Sequence, residues 1–149
     1  MKRVLLVCTG NTCRSPMAAA LLKAAAPGAE VRSAGLTARD GEPVSPEAVK
    51  ALRGRGLDLA GHRSTALRAN MVEWADLILT MTRAHREALL RRYPQAEGKV
   101  AQLLAFPRWG TGDCPEDLDV DDPIGGSQSR YDRCAEELER AVSTLLEVR

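Results

Sequence analysis

Aromatic residues and long apolar runs are scarce in this 149-residue chain. It contains two tryptophans, two tyrosines and one phenylalanine, so a binding pocket has few rings with which to hold an aromatic ligand. The longest apolar stretches, such as 4–7 and 77–79, fall far short of the ~20 residues that span a bilayer. We therefore expect a soluble, cytoplasmic protein that has no membrane partner.

An excess of charge of either sign is also lacking, because 21 Lys and Arg face 20 Asp and Glu and leave a net charge of +1. Without a global positive field, nucleic acid is not an expected partner. With only two histidines and no Cys-x-x-Cys pair, the sequence gives a structural zinc site little support. The four cysteines, Cys8, Cys13, Cys114 and Cys134, are expected to be reduced, since a chain of this length can bury a core without disulfides.

Apolar and polar segments alternate along the chain in the manner of an α/β protein. The predicted strands are 2–8, 30–34, 76–81 and 100–104. Four predicted helices follow cap signals at Ser15-Pro16, Ser45-Pro46, Asn70 and Thr82, and residues 129–148 are predicted to form a closing amphipathic helix. This order predicts a single domain, residues 1–149, with a parallel sheet covered by helices on both faces. Segment 106–128 is predicted to be a long loop, and a loop of that length is more often functional than idle.

The segment after the first predicted strand carries the clearest chemical signal. It places a thiol, Cys8, at the carboxyl end of a strand and Arg14 at the start of a helix, where open α/β sheets bind ligands. Backbone N–H groups in such a tight loop converge on an anion, and the helix adds its positive end. The guanidinium of Arg14 can then grip two oxygens of a tetrahedral oxyanion. The same field stabilises a thiolate, so Cys8 is predicted to be a nucleophile.

A thiolate that attacks a phosphoryl group needs an acid for the leaving atom and then a base for water. The candidates in the long loop are Asp113, Glu116, Asp117, Asp119, Asp121 and Asp122. Asp122 is favoured because the following Pro-Ile-Gly-Gly sequence fixes a tight turn and so holds one carboxylate in a defined direction. From spacing alone, the other acids remain alternatives.

Four segments together resemble the low-molecular-weight protein-tyrosine phosphatases: residues 8–16, residues 32–35, Gly61-His62 and Asp122-Pro123. The resemblance runs over almost the whole chain. It implies a four-stranded parallel sheet flanked by helices and a phosphatase acting on phosphorylated proteins. It implies no metal and no organic cofactor.

The resemblance also implies roles for individual residues. Cys8 would form a phosphocysteine, Arg14 would clamp the oxyanion, and Asp122 would act as general acid and then as base. The phosphate-binding loop would comprise Thr9, Gly10, Asn11, Thr12, Cys13 and Arg14. Ser15 would hydrogen-bond the thiolate, while Asn11, Ser33 and His62 would form a network that holds the loop.

Two departures from the tyrosine phosphatases bear on the substrate. Thr12 replaces a bulky aliphatic residue, and Ile124-Gly125 replaces aromatic residues after the Asp-Pro pair. A phosphotyrosine ring would lack its walls unless Trp109 reaches it, whereas the threonine hydroxyl suits a narrow guanidino group. The pattern is similar to the bacterial protein-arginine phosphatases, so phosphoarginine is the favoured substrate and phosphotyrosine the alternative.

The sequence leaves open a redox role for Cys13 and two alternative functions. Oxidation could join Cys13 to Cys8 and reversibly silence the nucleophile. A thiol-dependent arsenate reductase would need two more cysteines in a relay, and Cys114 and Cys134 lack the close pairing that such a relay prefers. A non-catalytic phosphate-binding module is a third possibility, but it has no use for a nucleophilic thiol or for the acid at Asp122.

Overall fold

A four-stranded parallel sheet forms the centre of the computed structural model, which describes residues 3–108 and 118–148. The strands are β1 (Arg3–Cys8), β2 (Glu30–Gly35), β3 (Leu77–Thr80) and β4 (Val100–Gln102). Their order across the sheet is β2-β1-β3-β4, and every neighbouring pair is parallel. The predicted parallel sheet is confirmed, with β4 two residues shorter than expected because the chain enters a 3-10 turn at Leu103–Arg108.

Five α-helices connect the strands and cover the sheet. They are α1 (Arg14–Ala25), α2 (Pro46–Arg53), α3 (Ala69–Trp74), α4 (Arg83–Arg92) and α5 (Gln128–Val148). A short 3-10 turn, Pro94–Ala96, follows α4, where proline ends the helix as predicted. Within the described ranges, none of the helices combines the length and hydropathy that a bilayer crossing requires.

Helix starts agree with the cap signals in part. Thr82 caps α4 as predicted, because its hydroxyl accepts the His85 N–H at 3.0 Å. Ser45 precedes α2 and places Pro46 at the first helical position. Two other predicted caps are wrong. Ser15 lies inside α1, since the Cys13 carbonyl already accepts the Met17 N–H, and Asn70 lies inside α3.

The core lies on both faces of the sheet, because side chains alternate along each strand. In β1, Val4 and Leu6 face α1, α2 and α5, whereas Leu5 and Val7 face α3 and α4. All four are fully buried. Burial of each such side chain contributes about 1.5–3 kcal/mol. Apolar residues on both faces identify a central strand of a doubly covered sheet.

The strand order places a crevice at the carboxyl end of β1. The chain leaves β1 toward α1 on one face and leaves β3 toward α4 on the other. Neighbouring parallel strands whose connections diverge in this way leave an opening between the loops, where ligands bind in open α/β sheets. Cys8, the last residue of β1, lies at this opening.

Gly35 ends β2 opposite Cys8 and allows the loop after Cys8 to approach β2 closely. A β-carbon there would lie 2.6 Å from the Thr9 carbonyl oxygen and 2.9 Å from the Asn11 nitrogen. Both are backbone atoms, which cannot swing aside as a flexible side chain can. The glycine is therefore required for the loop to pack against β2.

We expect Gly35→Ala to lower stability by about 1–3 kcal/mol, since overpacking forces the backbone to shift. The phosphatase activity that the resemblance implies should fall as well, because the displaced atoms belong to the loop after Cys8. Thermal melts and turnover of p-nitrophenyl phosphate measure the two effects. Gly28→Ala is the matched control, since its β-carbon meets nothing within 4 Å. Equal melting temperatures and rates for the two variants would contradict the packing role.

Candidate active site

The loop of residues 9–13 turns directly from β1 into α1 and surrounds the Cys8 sulfur. The Asn11 N–H points at Sγ from 3.3 Å, and the Ser15 Oγ lies 2.9 Å from the same atom. The Ser15 oxygen already accepts a hydrogen bond from the Asn11 side-chain amide at 2.8 Å. Its hydroxyl proton is therefore available to the sulfur. The arrangement therefore directs two hydrogen-bond donors at the Cys8 sulfur.

Asn11 connects this loop to the rest of the fold. Its Nδ2 donates to Ser33 Oγ at 2.9 Å as well as to Ser15, and its Oδ1 accepts the Thr65 N–H at 2.9 Å. Its carbonyl oxygen lies 3.3 Å from Nε2 of His62. The residue is fully buried and has a φ of +57°, a left-handed conformation that asparagine tolerates better than most residues. These hydrogen bonds hold the loop in its tight turn.

Arg14 lies at the start of α1 and is 4% exposed. Its Nη1 donates to the Val120 carbonyl at 3.0 Å, and its Nη2 lies 3.5 Å from Oδ2 of Asp122. Its buried Nε has no partner among the described residues. A buried guanidinium with an unsatisfied donor suits an oxyanion, which would supply the missing acceptor.

Asp122 reaches the same opening from the second half of the chain. Its carboxylate accepts the Ile124 N–H at 3.1 Å, an Asx turn that orients the side chain. The Cys13 sulfur lies 3.9 Å from Oδ1. The turn continues with a hydrogen bond from the Gly126 N–H to the Pro123 carbonyl at 2.8 Å. Asp122 is exposed, so its carboxylate can exchange protons with solvent.

Backbone anchors hold this acidic segment against the sheet. The Val120 N–H donates to the Met81 carbonyl, just after β3, at 2.8 Å. Asp119 Oδ1 accepts the Arg83 N–H at 2.8 Å and Nε2 of Gln102 at 2.9 Å. The Asp119 carboxylate is thus engaged in fixing the loop. The segment that carries Asp122 is tied to α4 and to β4.

The structure separates the candidate acids described in the sequence. Asp122 lies beside Arg14 and Cys13, Asp119 is an anchor, and Asp121 is exposed on a groove along α5. The remaining three candidates, Asp113, Glu116 and Asp117, lie outside the described residues. Asp122 stays the predicted general acid.

His85 lies at the site although the sequence reasoning assigned it no role. Its Nε2 is 2.7 Å from the Thr9 hydroxyl, one residue after Cys8. Burial and, after it, the Arg14 charge lower the pKa of His85 to about 4. The imidazole is therefore neutral at neutral pH and orients the Thr9 side chain. The cap at Thr82 is the sequence signal that would have placed His85 in the first turn of a helix.

Cys13 and Cys134 are buried thiols. Burial raises the pKa of Cys13 and of Cys134 to about 12, so both are neutral thiols at rest. The redox role of Cys13 stays a prediction. Cys134 lies on α5 with its sulfur 3.9 Å from the Asp121 carbonyl. Cys114 and Trp109 lie outside the described residues.

The chain is similar to known proteins over almost its whole length. The family model of the low molecular weight phosphotyrosine protein phosphatases matches residues 3–148. A protein-arginine-phosphatase of Geobacillus stearothermophilus is 42% identical, over 97% of this chain and 94% of that protein. A probable low molecular weight protein-tyrosine-phosphatase, EpsP, of Ralstonia solanacearum is 38% identical, over 95% of this chain and 92% of that protein.

A solved structure of the YwlE arginine phosphatase also matches, as a cysteine-to-serine mutant with a phosphorylated active-site serine. Its TM-score is 0.88 at 37% identity, and the match covers 97% of this chain and 93% of that one. The family model and the relatives both match nearly the full length of the chain. This chain belongs to the low molecular weight phosphotyrosine protein phosphatase family.

Proposed function

We propose that this cysteine-dependent protein phosphatase acts on phosphoarginine side chains of cytoplasmic proteins. The observation that carries the proposal is the polar character of the opening above Cys8. Thr12 lies in the loop with its side chain half-buried, and the Asp122 carboxylate is exposed beside Arg14. A guanidinium needs hydrogen-bond acceptors and negative charge, which a hydroxyl and a carboxylate supply. The arginine phosphatases among its relatives support the same substrate.

The positions of three aromatic rings, those of Trp74, Tyr93 and Tyr131, also favour a non-aromatic substrate. Trp74 and Tyr93 pack on the α3 and α4 side of the sheet, and Tyr131 is buried in α5. Tyr131, which is 3% exposed, offers no free ring face to a substrate. A narrow guanidino group does not need such walls, because polar contacts hold it.

In the first step that we propose, the Cys8 thiolate attacks phosphorus. A sulfur–phosphorus bond forms while the phosphorus–nitrogen bond to the guanidino group breaks. Arg14 and the N–H groups of the loop stabilise the equatorial oxygens. Asp122, as the carboxylic acid, gives its proton to the leaving nitrogen, and a neutral arginine side chain departs before taking up a proton from water.

In the second step, water attacks the phosphocysteine. Asp122, now the carboxylate, takes a proton from that water, the sulfur–phosphorus bond breaks, and inorganic phosphate leaves with Cys8 restored as thiolate. Ser15 donates to the sulfur that leaves. Support for a phosphoenzyme at this position comes from the relative whose active-site serine carries phosphate.

Phosphotyrosine is the second candidate, favoured by one exposed apolar residue. Ile124 is 55% exposed and follows the Asp122-Pro123 pair, where it can contact one face of a ring. The tyrosine phosphatases among the relatives support this alternative. The two substrates therefore need a direct comparison.

We expect phosphate release to be faster from a phosphoarginine peptide than from a phosphotyrosine peptide of the same sequence. The kcat/KM of each peptide is measured by phosphate release at pH 7. Cys8→Ser is the control, and it should abolish release from both because a hydroxyl is a far weaker nucleophile than a thiolate. A higher kcat/KM on phosphotyrosine would overturn the proposed preference and leave the phosphatase activity in place.

We expect Thr12→Ile to shift the ratio of the two kcat/KM values toward phosphotyrosine by about tenfold or more, since it adds apolar surface and removes a hydroxyl. Thr12→Ser is the matched control, because it keeps the hydroxyl and should retain the phosphoarginine preference. If the isoleucine variant keeps the parent ratio, Thr12 does not select the substrate.

We expect Asp122→Asn to slow turnover by about 10²–10⁴-fold, most on substrates with a poor leaving group, because an amide donates no proton to the leaving atom. Rates on a series of aryl phosphates measure the dependence on the leaving group. Asp121→Asn removes the neighbouring exposed carboxylate and should leave the rates near the parent values. Equal losses in the two variants would assign the effect to loop charge and not to acid catalysis.

A further inference from the structure

A second cavity of about 490 Å³ lies between α1, the middle of β2 and the segment around residue 61. None of Cys8, Arg14 and Asp122 lines it. It is therefore distinct from the opening above the nucleophile. Its surface combines an apolar part with a group of charged side chains. The apolar part comprises Pro16, Ala19, Ala20, Val31, Leu59 and Met71.

Positive charge predominates in this cavity. Lys23, Arg32 and Arg63 line it, against the one carboxylate of Asp58. None of these three cations forms an ion pair within the described parts of the chain. The Arg32 guanidinium lies 4.2 Å from the centroid of the Trp74 ring, which holds it in place. Unpaired cations beside an apolar wall suit an anion that carries an apolar body.

The same cavity touches the support of the catalytic loop. Three of its lining residues, Ser33, His62 and Thr65, each contact a different atom of Asn11. Ser33 meets the side-chain nitrogen, Thr65 the side-chain oxygen and His62 the backbone carbonyl. A ligand in the cavity would therefore lie against the hydrogen bonds that keep Asn11 in its left-handed conformation.

We propose that this cavity is a regulatory site for a small organic anion with a phosphate or phosphonate group and an apolar body, and that its occupancy lowers kcat. The proposal concerns how the loop is held and does not depend on which phosphorylated side chain is the substrate. The anionic group would lie between Lys23 and Arg63, with the body against the apolar wall.

His62 provides the link to the loop. Burial lowers the pKa of His62, and the charges of Lys23 and Arg63 lower it further, which places both cations near the imidazole. The neutral ring donates its Nε2–H to the Asn11 carbonyl, and this hydrogen bond is one of those that hold the loop. A phosphonate oxygen competes for that donor, since hydrogen bonds to charged acceptors are about twice as strong as neutral ones. Loss of the bond loosens the loop around Cys8.

Binding is tested by NMR titration of the full chain with phenylphosphonate, whose carbon–phosphorus bond the enzyme does not hydrolyse. We expect two saturable sets of amide shifts, one at Gly10 and Thr12 and another at Lys23 and Gly61. The titration continues to ten times the phenylphosphonate concentration that saturates the shifts at Gly10 and Thr12. Absence of shifts at Lys23 and Gly61 over this whole range would overturn the site.

Regulation is tested by steady-state hydrolysis of p-nitrophenyl phosphate over a range of phenylphosphonate concentrations. Competition at the catalytic loop raises KM alone, whereas occupancy of the cavity should lower kcat by about fivefold, the lower end of couplings between sites. The Lys23→Gln, Arg63→Gln double variant should lose the fall in kcat and keep the rise in KM. The Lys50→Gln, Arg53→Gln variant of α2 is the matched control and should behave as the parent.

Purely competitive inhibition of the parent would overturn the regulatory role, and so would a fall in kcat that survives in the double variant. Both substituted cavity residues lie outside the catalytic loop, so kcat without phosphonate should stay within about twofold of the parent. Because the assay uses an aryl phosphate, its outcome is independent of the phosphoarginine proposal. An enzyme that ignores phosphoarginine but hydrolyses p-nitrophenyl phosphate would refute only that earlier proposal.

Discussion

The active centre depends on the side chain of Asn11. A loop of five residues must turn from β1 into α1 and direct its N–H groups inward, and this turn requires a left-handed residue that is fully buried. Glycine would allow the conformation without holding it, because it has no side chain to bond. The asparagine amide bonds Ser15, Ser33 and the Thr65 N–H, and so offsets the cost of the strained backbone. Through Ser15, the same network reaches the Cys8 sulfur.

The second constraint is the attachment of the acidic segment. Arg14 and Asp122 are more than a hundred residues apart, yet they meet at 3.5 Å because the segment is tied to the sheet from behind. Asp119 binds the backbone of α4 and the side chain of Gln102 on β4, while Val120 binds the residue after β3. The Val120 carbonyl then accepts from Arg14 itself. One short stretch therefore positions both the clamp and the predicted acid.

Asn11 lies between the Cys8 sulfur and the second cavity. Toward Cys8 it supplies the N–H that faces the sulfur, and toward the second cavity it receives the contacts of Ser33, His62 and Thr65. Gly35 allows this arrangement, since a β-carbon there would collide with the backbone of the loop. In the regulation proposed above, catalysis at one surface and ligand binding at the other would thus be coupled through a single residue.

The sequence by itself determined the parallel sheet and predicted the nucleophile at the end of its first strand. The alternation of apolar strands with helices favours a parallel sheet, and the spacing from Cys8 to Arg14 predicts an oxyanion loop, because both signals are local to a few residues. The two expectations for Ser15 differed, because a serine before proline predicts a helix cap whereas the resemblance implies a bond to the thiolate. The tertiary structure places Ser15 inside α1 with its Oγ 2.9 Å from the Cys8 sulfur. The pairing of His85 with Thr9 and the approach of Asp122 to Arg14 likewise depend on contacts between distant segments. No local pattern encodes such contacts, since they arise only when the strands place their carboxyl ends side by side.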